Sequence, residues 1–362
     1  MSSTFGQYLR LTLFGQSHGP AVGVTVEGLP AGMRIDMDAL RDELRRRAPG
    51  RNDLTTPRRE PDEPEFLSGV MDGVLTGQPL TVIFPNKDAR DAGGAPKLDR
   101  PRPGHADYTN HVRYYGFEDG RGGGFSSGRL TVCLVLAGAL CKQFLASEGI
   151  CICSHISRLG SLTDNPLAEW RGDTAFLREM ALPTLRPGLA DEMAAVIRQA
   201  REAGDSVGGE VTCRLDGLPA GLGAPFFDSV ESVLSQLLFS VPGIKGVCFG
   251  DGPAFAVKKG SEMNDAFRMR DGAVVTATNH SGGVQGGITN GMPVLFSCIV
   301  RPTPSIAVKQ QTVSLLHQTD TTLSVQGRND PCLLPRICPV IEAAAAIGIT
   351  ELWKERMACQ PY

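Results

Sequence analysis

Two stretches of the chain carry one pattern: Gly15-Gln16-Ser17-His18-Gly19 leading to Glu27-Gly28-Leu29-Pro30-Ala31-Gly32, and Gly204-Asp205-Ser206-Val207-Gly208 leading to Asp216-Gly217-Leu218-Pro219-Ala220-Gly221. Aligned without a gap over eighteen columns, nine are identical, where average composition gives about one by chance. A second pair follows in the same order. Gly69-Val70, Gly73, Gly77 and Pro79 match Gly283-Val284, Gly287, Gly291 and Pro293. The expectation is a single domain over 1–362, internally duplicated, with halves of about 1–150 and 190–362.

The flanks have the same periods in both halves. Val22, Val24 and Val26 alternate as a strand, as do Val211, Cys213 and Leu215. A helix follows each: one opened by Asp36 with Leu40 and Leu44 on its apolar face, the other opened by Asp228 and ending at Pro242-Gly243. Leu80–Phe84 and Val294–Val300 read as strands after the second repeat. Each half ends in a longer helix, about Ser127–Ser147 and Pro339–Met357, and another spans about Leu189–Ala203. Leu130–Cys141 is apolar on every side, which predicts a helix buried all round. The fold class expected is α+β, antiparallel sheets around buried helices. Residues 155–188 are the least regular stretch and read as an excursion.

Composition narrows the class. The chain has 43 glycines and 25 prolines, yet 41% of it is apolar. A core can form, so disorder is excluded, and so much glycine argues against a plain helical bundle. The formal charge of −3 and 6% aromatic content oppose nucleic-acid binding, although eight arginines lie between Arg34 and Arg59. Ten cysteines form no CxxC and no zinc spacing, and read as reduced, mostly buried thiols of a cytoplasmic protein. No signal peptide is legible at the start, and the longest apolar run, Val132–Cys141, is too short to cross a membrane.

Six histidines are present. His18 and His105 sit in glycine-flanked loops beside hydroxyls and arginines, the setting of a proton donor or of a structural turn. His18 becomes Val207 in the other half, so the scaffold does not need an imidazole there. His111, His155 and His317 read as structural or exposed. Gly120-Arg121-Gly122-Gly123-Gly124-Phe125-Ser126-Ser127-Gly128-Arg129 runs into the apolar helix and offers free N–H groups to an anion, or only a flexible loop with a serine cap. It is neither a P-loop nor a Rossmann turn. Arg45-Arg46-Arg47 closes a helix, as a solvated basic face or as a clamp for phosphate or carboxylate. Asp330 before Pro331 is a helix cap or a base. With no metal set and no nucleophile motif, the residues suit proton transfer on a small anionic, phosphorylated substrate.

These residues resemble chorismate synthases along nearly the whole chain. The blocks are Phe14-Gly15-Gln16-Ser17-His18-Gly19; Arg102-Pro103-Gly104-His105-Ala106-Asp107-Tyr108; Arg121 to Arg129; Asn279-His280 with Gly282, Gly283, Gly286 and Gly287; Arg301-Pro302-Thr303-Pro304-Ser305; and Arg328 with Asp330-Pro331-Cys332. The resemblance implies a β-α-β sandwich and the anti-1,4-elimination of phosphate from 5-enolpyruvylshikimate-3-phosphate, with reduced FMN as cofactor and NADPH only as an indirect reductant. It implies that His18 protonates the departing phosphate, His105 keeps the flavin in its reactive charge state, and Asp330 assists proton removal, with Ser17 and Ser127 as relays. Arg47, Arg102, Arg129 and Arg328 would hold the substrate. Phe125, Ser126, Ser127, Pro242, Gly243, Gly286, Arg301, Pro302, Thr303, Pro304, Ser305 and Arg328 would line FMN. A homotetramer is implied, with no nucleic-acid or membrane partner. Departures from the family pattern are Gln16, Phe125, Gly128, Leu130, Asn329 and Arg301, with Ala48 and Asp53 where some members are basic. They leave a divergent flavin- or phosphate-binding homologue as the alternative.

Overall fold

The computed structural model describes residues 3–50, 53–56, 60–87, 98–170, 172–325, 327 and 329–359. Its first sheet is built from β1 (Thr4–Phe5), β2 (Arg10–Gly15), β3 (Ala21–Glu27), β4 (Glu65–Ser68) and β5 (Leu80–Pro85), in the order β1-β2-β3-β5-β4 and antiparallel throughout. The second holds β6 (Cys151–Leu159), β7 (Leu162–Thr163), β8 (Gly209–Asp216), β9 (Ile244–Phe249) and β10 (Val294–Val300), in the order β9-β10-β8-β6-β7, also antiparallel. The alternation read in the sequence sets the register. Val22, Val24 and Val26 face Phe84, Val82 and Leu80, and Val211, Cys213 and Leu215 face Cys298, Phe296 and Val294. All twelve side chains are buried, so a slip of one residue would turn each of these rows to the wrong face.

Helices fill the space between the sheets: α1 (Met37–Arg47), α3 (Thr131–Ser147), α5 (Val230–Ser240) and α6 (Leu334–Ala358), with α2 (Asp107–Arg113) and α4 (Leu189–Glu202) outside. Helix α3 packs on β3 of the first sheet, α6 packs on β6 and β8 of the second, and the two helices pack along each other. This is the sheet–helix–sheet sandwich expected. Gly138 and Ala343 make the helix crossing, where a Cβ on Gly138 would overlap Ala343. The stretch Gly128–Ser147 is long and apolar enough to cross a membrane by composition, longer than the apolar run alone suggested. Here it is the core helix, with Thr131 to Cys141 buried without interruption.

Three boundaries differ from the sequence reading. Asp36 does cap α1, accepting from the N–H of Asp38 and Ala39 at 3.0 and 2.9 Å. The cap of α5 is Ser229 rather than Asp228, its hydroxyl accepting from the N–H of Ser232. Helix α6 starts at Leu334 and takes in both Pro335 and Pro339. A proline is tolerated in a first turn, and Pro339 removes only the bond that would reach the carbonyl of Pro335. Before α3, residues 124–130 form two short 3₁₀ turns instead of α-helix.

The repeated segments make matching contacts. The N–H of Gly32 donates to the carbonyl of Leu75, and that of Gly221 to Thr289, both at 2.8 Å. Likewise Thr76 donates to Gly69 and Asn290 to Gly283, both at 3.0 Å.

Charge enters this core in an ordered way. Arg46 of α1 grips Glu342 of α6 through two nitrogens at 2.7 and 2.9 Å and also reaches Glu43. Lys142 of α3 bonds Glu43 and Glu342, and Ser154 of β6 completes Glu342. Burial would raise the Glu342 carboxyl, but Arg46 and Lys142 outweigh it and hold it well below the usual range. Glu351 of α6 accepts from the N–H groups of Gln7, Tyr8 and Leu9 and so docks the start of the chain. All ten cysteines are free thiols and seven are buried. Burial pushes Cys133 and Cys141 up to about 12, which leaves them unreactive.

Candidate active site

A cavity of about 560 Å³ opens where loops of both halves meet, within the size range of small-molecule sites. Its wall holds His18 from the β2–β3 turn, Arg47 from the end of α1, and Arg102 and His105 from the loop before α2. Ser126, Ser127 and Arg129 come from the turns before α3, Pro242 and Gly243 from the turn after α5, and Asp330 from the approach to α6. Arg301, Thr303, Pro304 and Ser305, after β10, close the circle.

Four expected residues lie elsewhere. Ser17 is buried behind His18, its hydroxyl 3.0 Å from the imidazole Nδ1. Phe125 is exposed in a 3₁₀ turn outside the wall. Pro302 packs against Gly208 rather than the cavity. Gly286 and Gly287, with φ of 62° and 83°, are the two central residues of the tight hairpin pairing Gln285 with Ile288. That turn requires positive φ at both positions, which accounts for the glycines without a ligand. Arg328 lies outside the described residues.

The three consecutive arginines of α1 have three fates, because successive helical residues point about 100° apart. Arg45 is exposed and pairs with Asp42. Arg46 enters the buried network described above. Arg47 reaches the cavity wall, with Nη1 on Asp62 at 2.7 Å, Nε on Thr131 and Nη2 on the carbonyl of Gly128. Asp62 also binds Arg129, whose Nε meets Asn86 at 3.0 Å. Burial would raise the Asp62 carboxyl, yet Arg47 and Arg129 together lower it. Two guanidiniums sharing one carboxylate leave a net positive charge on this wall. Sequence reasoning missed Asp62, which lies in an aperiodic stretch and has a φ of 52°.

Two more arginines are paired. Asp330 accepts from the N–H of Thr56 at 2.8 Å and from Arg336 at 2.7 Å, while Arg336 Nε donates to the carbonyl of Arg47. Arg102 binds Asp107 through Nε and Nη2, each at 2.7 Å, and His105 Nδ1 lies 2.6 Å from the same carboxylate. Asp107 and Arg336 were not singled out from the sequence, although Asp107 stands inside a quoted block. Two imidazoles, a carboxylate and an excess of guanidinium charge around one cavity can bind a dianion and move protons on it.

The matching family model, described as chorismate synthase, covers residues 9–353. The chain belongs to the chorismate synthase family. It is similar to the chorismate synthase of Methanosarcina barkeri, 42% identical over 96% of this chain and 95% of that one. That of Opitutus terrae is 43% identical over 99% and 98%, and that of Thermococcus kodakarensis 42% over 98% of each. A solved structure described as a crystal structure of chorismate synthase superposes with a TM-score of 0.75 at 27% identity, covering 97% of this chain and 93% of that one. Chorismate synthases catalyse the last step of the shikimate pathway and use a flavin. The residues present fit a flavin. Val241, Ile244, Ile337 and Val340 make one apolar wall, suited to the face of a ring system. Thr303 Oγ1, in the polar 301–305 segment of the lining, is buried with no hydrogen-bond partner among the described residues.

Proposed function

We propose that this cavity carries out the anti-1,4-elimination of phosphate from 5-enolpyruvylshikimate-3-phosphate to give chorismate, a carbon–oxygen lyase reaction on a phosphate ester. The observation that carries the reading is the convergence of His18, His105 and Asp330, from three distant parts of the chain, on one arginine-lined cavity. Arg129, whose Nη2 has no protein partner among the described residues, Arg47 and Arg102 hold the phosphate and carboxylates, together with Arg328. His18 gives a proton to the departing phosphate, with Ser17 behind its Nδ1 as the relay. His105 holds its proton beside the cofactor, and Asp330, with Ser127 as relay, is the terminal base for the ring hydrogen. Reduced FMN, when bound, would supply electron density to the reacting ring. Ser126, Ser127, Pro242, Gly243 and the 301–305 segment would hold it; the set implied by the family also includes Arg328, and Phe125 and Gly286, which stand outside the wall of this cavity.

The flavin arrives reduced, with NADPH only an indirect reductant. In support, Asp53 is an exposed carboxylate engaged by Arg198 at 2.7 Å, where a dinucleotide phosphate would need a cation. The chain works as a cytoplasmic homotetramer, and 1–362 is one internally duplicated domain. The paired contacts of Gly32 with Leu75 and Gly221 with Thr289 support that duplication.

An anaerobic assay with photoreduced FMN and substrate tests the reaction: phosphate and chorismate should appear together. Flavin binding without phosphate release, even at high enzyme, overturns it in favour of a non-catalytic homologue. His18→Ala and His105→Ala should each slow turnover by about 10- to 10³-fold.

A further inference from the structure

Arg102 stands in the cavity wall, but most of its hydrogens are spent inside the protein. Nε donates to Asp107 Oδ2 and Nη2 to Asp107 Oδ1, both at 2.7 Å, and Nη2 also reaches the carbonyl of Gly122 at 2.7 Å. The backbone N–H of Arg102 adds a third bond to Asp107. Only Nη1 is left, at 3.5 Å from Ser305. So fixed, Asp107 faces His105 Nδ1 at 2.6 Å with the same Oδ1.

The tautomer follows from what each partner can do. Arg102 only donates, so its approach to Nδ1 at 3.1 Å cannot be a hydrogen bond to a protonated nitrogen. Ionised Asp107 only accepts. Burial would raise its carboxyl, but the bonds from Arg102 and His105 overcome that and hold it well below the usual range. The nearer, charged acceptor takes the Nδ1 hydrogen, which leaves Nε2 as the nitrogen of His105 available to a ligand in the cavity.

We infer that Asp107 is the positioning residue of His105, locking the imidazole with Nδ1–H on the carboxylate and Nε2 free for the cavity, and that Arg102 holds Asp107 through Nε and Nη2 while leaving Nη1 for the substrate. This rests on the proposed role of His105. A carboxylate in this relation to an imidazole fixes both orientation and tautomer.

The test is a double-mutant cycle with a spectroscopic arm. Asp107→Asn keeps the shape and one acceptor oxygen but can turn its amide towards Nδ1. It should lower kcat by about 10- to 100-fold with KM changed less than about twofold. In the His105→Ala background the same change should cost nothing more. In the free protein, ¹⁵N NMR of labelled histidine, assigned by the signal lost in His105→Ala, should report Nδ1–H in the parent and a mixed tautomer in Asp107→Asn. Asp107→Glu, which keeps the charge, should recover part of the rate. Wild-type turnover in Asp107→Asn, or a full additional loss in the double variant, overturns the inference. The second result would assign Asp107 to holding Arg102 and α2 alone. Should Asp107→Asn not fold, Asp107→Ser, which removes the carboxylate, decides: a parent-like tautomer and rate in that variant overturn the inference. Wild-type turnover in His105→Ala would instead defeat the role of His105 itself.

Discussion

The backbone of Gly122 lies against the imidazole of His18. A Cβ built on Gly122 would overlap Cε1 and Nδ1 of that ring, and the glycine has a φ of 62°. The glycine-rich turn thus supplies the surface on which the proposed phosphate-protonating group rests. Gly122→Ala should displace His18 and cut turnover by about 10- to 10³-fold, the range for loss of a positioned acid. Its stability should fall by only about 1–2 kcal/mol, the cost of the left-handed conformation at a residue with a Cβ. Steady-state rates beside a calorimetric melt check both.

Asp62 holds two guanidiniums that would otherwise be left buried and unpaired. Asp62→Ala should destabilise the protein by about 3–5 kcal/mol. Asp62→Asn, which keeps the volume, should retain more stability but raise KM, because one arginine then faces an amide. Denaturant titration and substrate saturation curves separate the two effects. An unchanged KM in a folded Asp62→Asn would show that this carboxylate does not shape the substrate wall.

Acid should unfold the protein through its internal carboxylates. Asp62, Glu43 and Glu342 all have folded values below their ordinary 3.8 and 4.5. A depressed carboxylate stabilises fully above its unfolded value and loses that contribution as pH falls towards the folded one. Melting temperature should therefore decline as pH drops past about 4.5. In Glu342→Gln the melt should start lower and fall less steeply on acidification. An equal slope in both proteins would contradict the assignment.

The helix crossing leaves no room for one carbon. Gly138→Ala should force α3 away from Ala343 and cost about 1–3 kcal/mol or more. Gly260→Ala is the control: an added Cβ there meets nothing within 4 Å, and its melt should match that of the parent.

Period and repetition made most of the fold legible. Alternating valines placed β3, its repeat placed β8, and the all-apolar stretch placed α3 at the centre. Local patterns failed where a choice depended on distant partners. Asp228 and Ser229 are both good caps, and only the chain path selects the serine. The three arginines ending α1 look alike in sequence, and the tertiary positions of Glu342 and Asp62 assign Arg46 and Arg47 to different work. Most of the expected wall residues do gather, because the motifs sit in loops that both sheets direct to one place. Asp62 and Arg336 were invisible because their value lies in what they hold still. Gly286 stands in a hairpin turn that itself calls for glycine, so local sequence does not separate a turn glycine from one that meets a ligand.

The α3–α6 pairing also bears on how the chain can be divided. Each helix belongs to one half by sequence yet covers apolar surface of the other, and Arg46, Lys142 and Glu342 link them through buried charge. A polypeptide ending near 150 would expose one face of its central helix and leave Arg46 and Lys142 without Glu342, with only Glu43 between them. One beginning near 190 would lack β6, the strand beside β8, and leave Glu342 without its cations. Neither fragment should therefore work alone. Co-expressed, they are natural candidates for complementation, with recovered phosphate release reporting that the interlock has reformed.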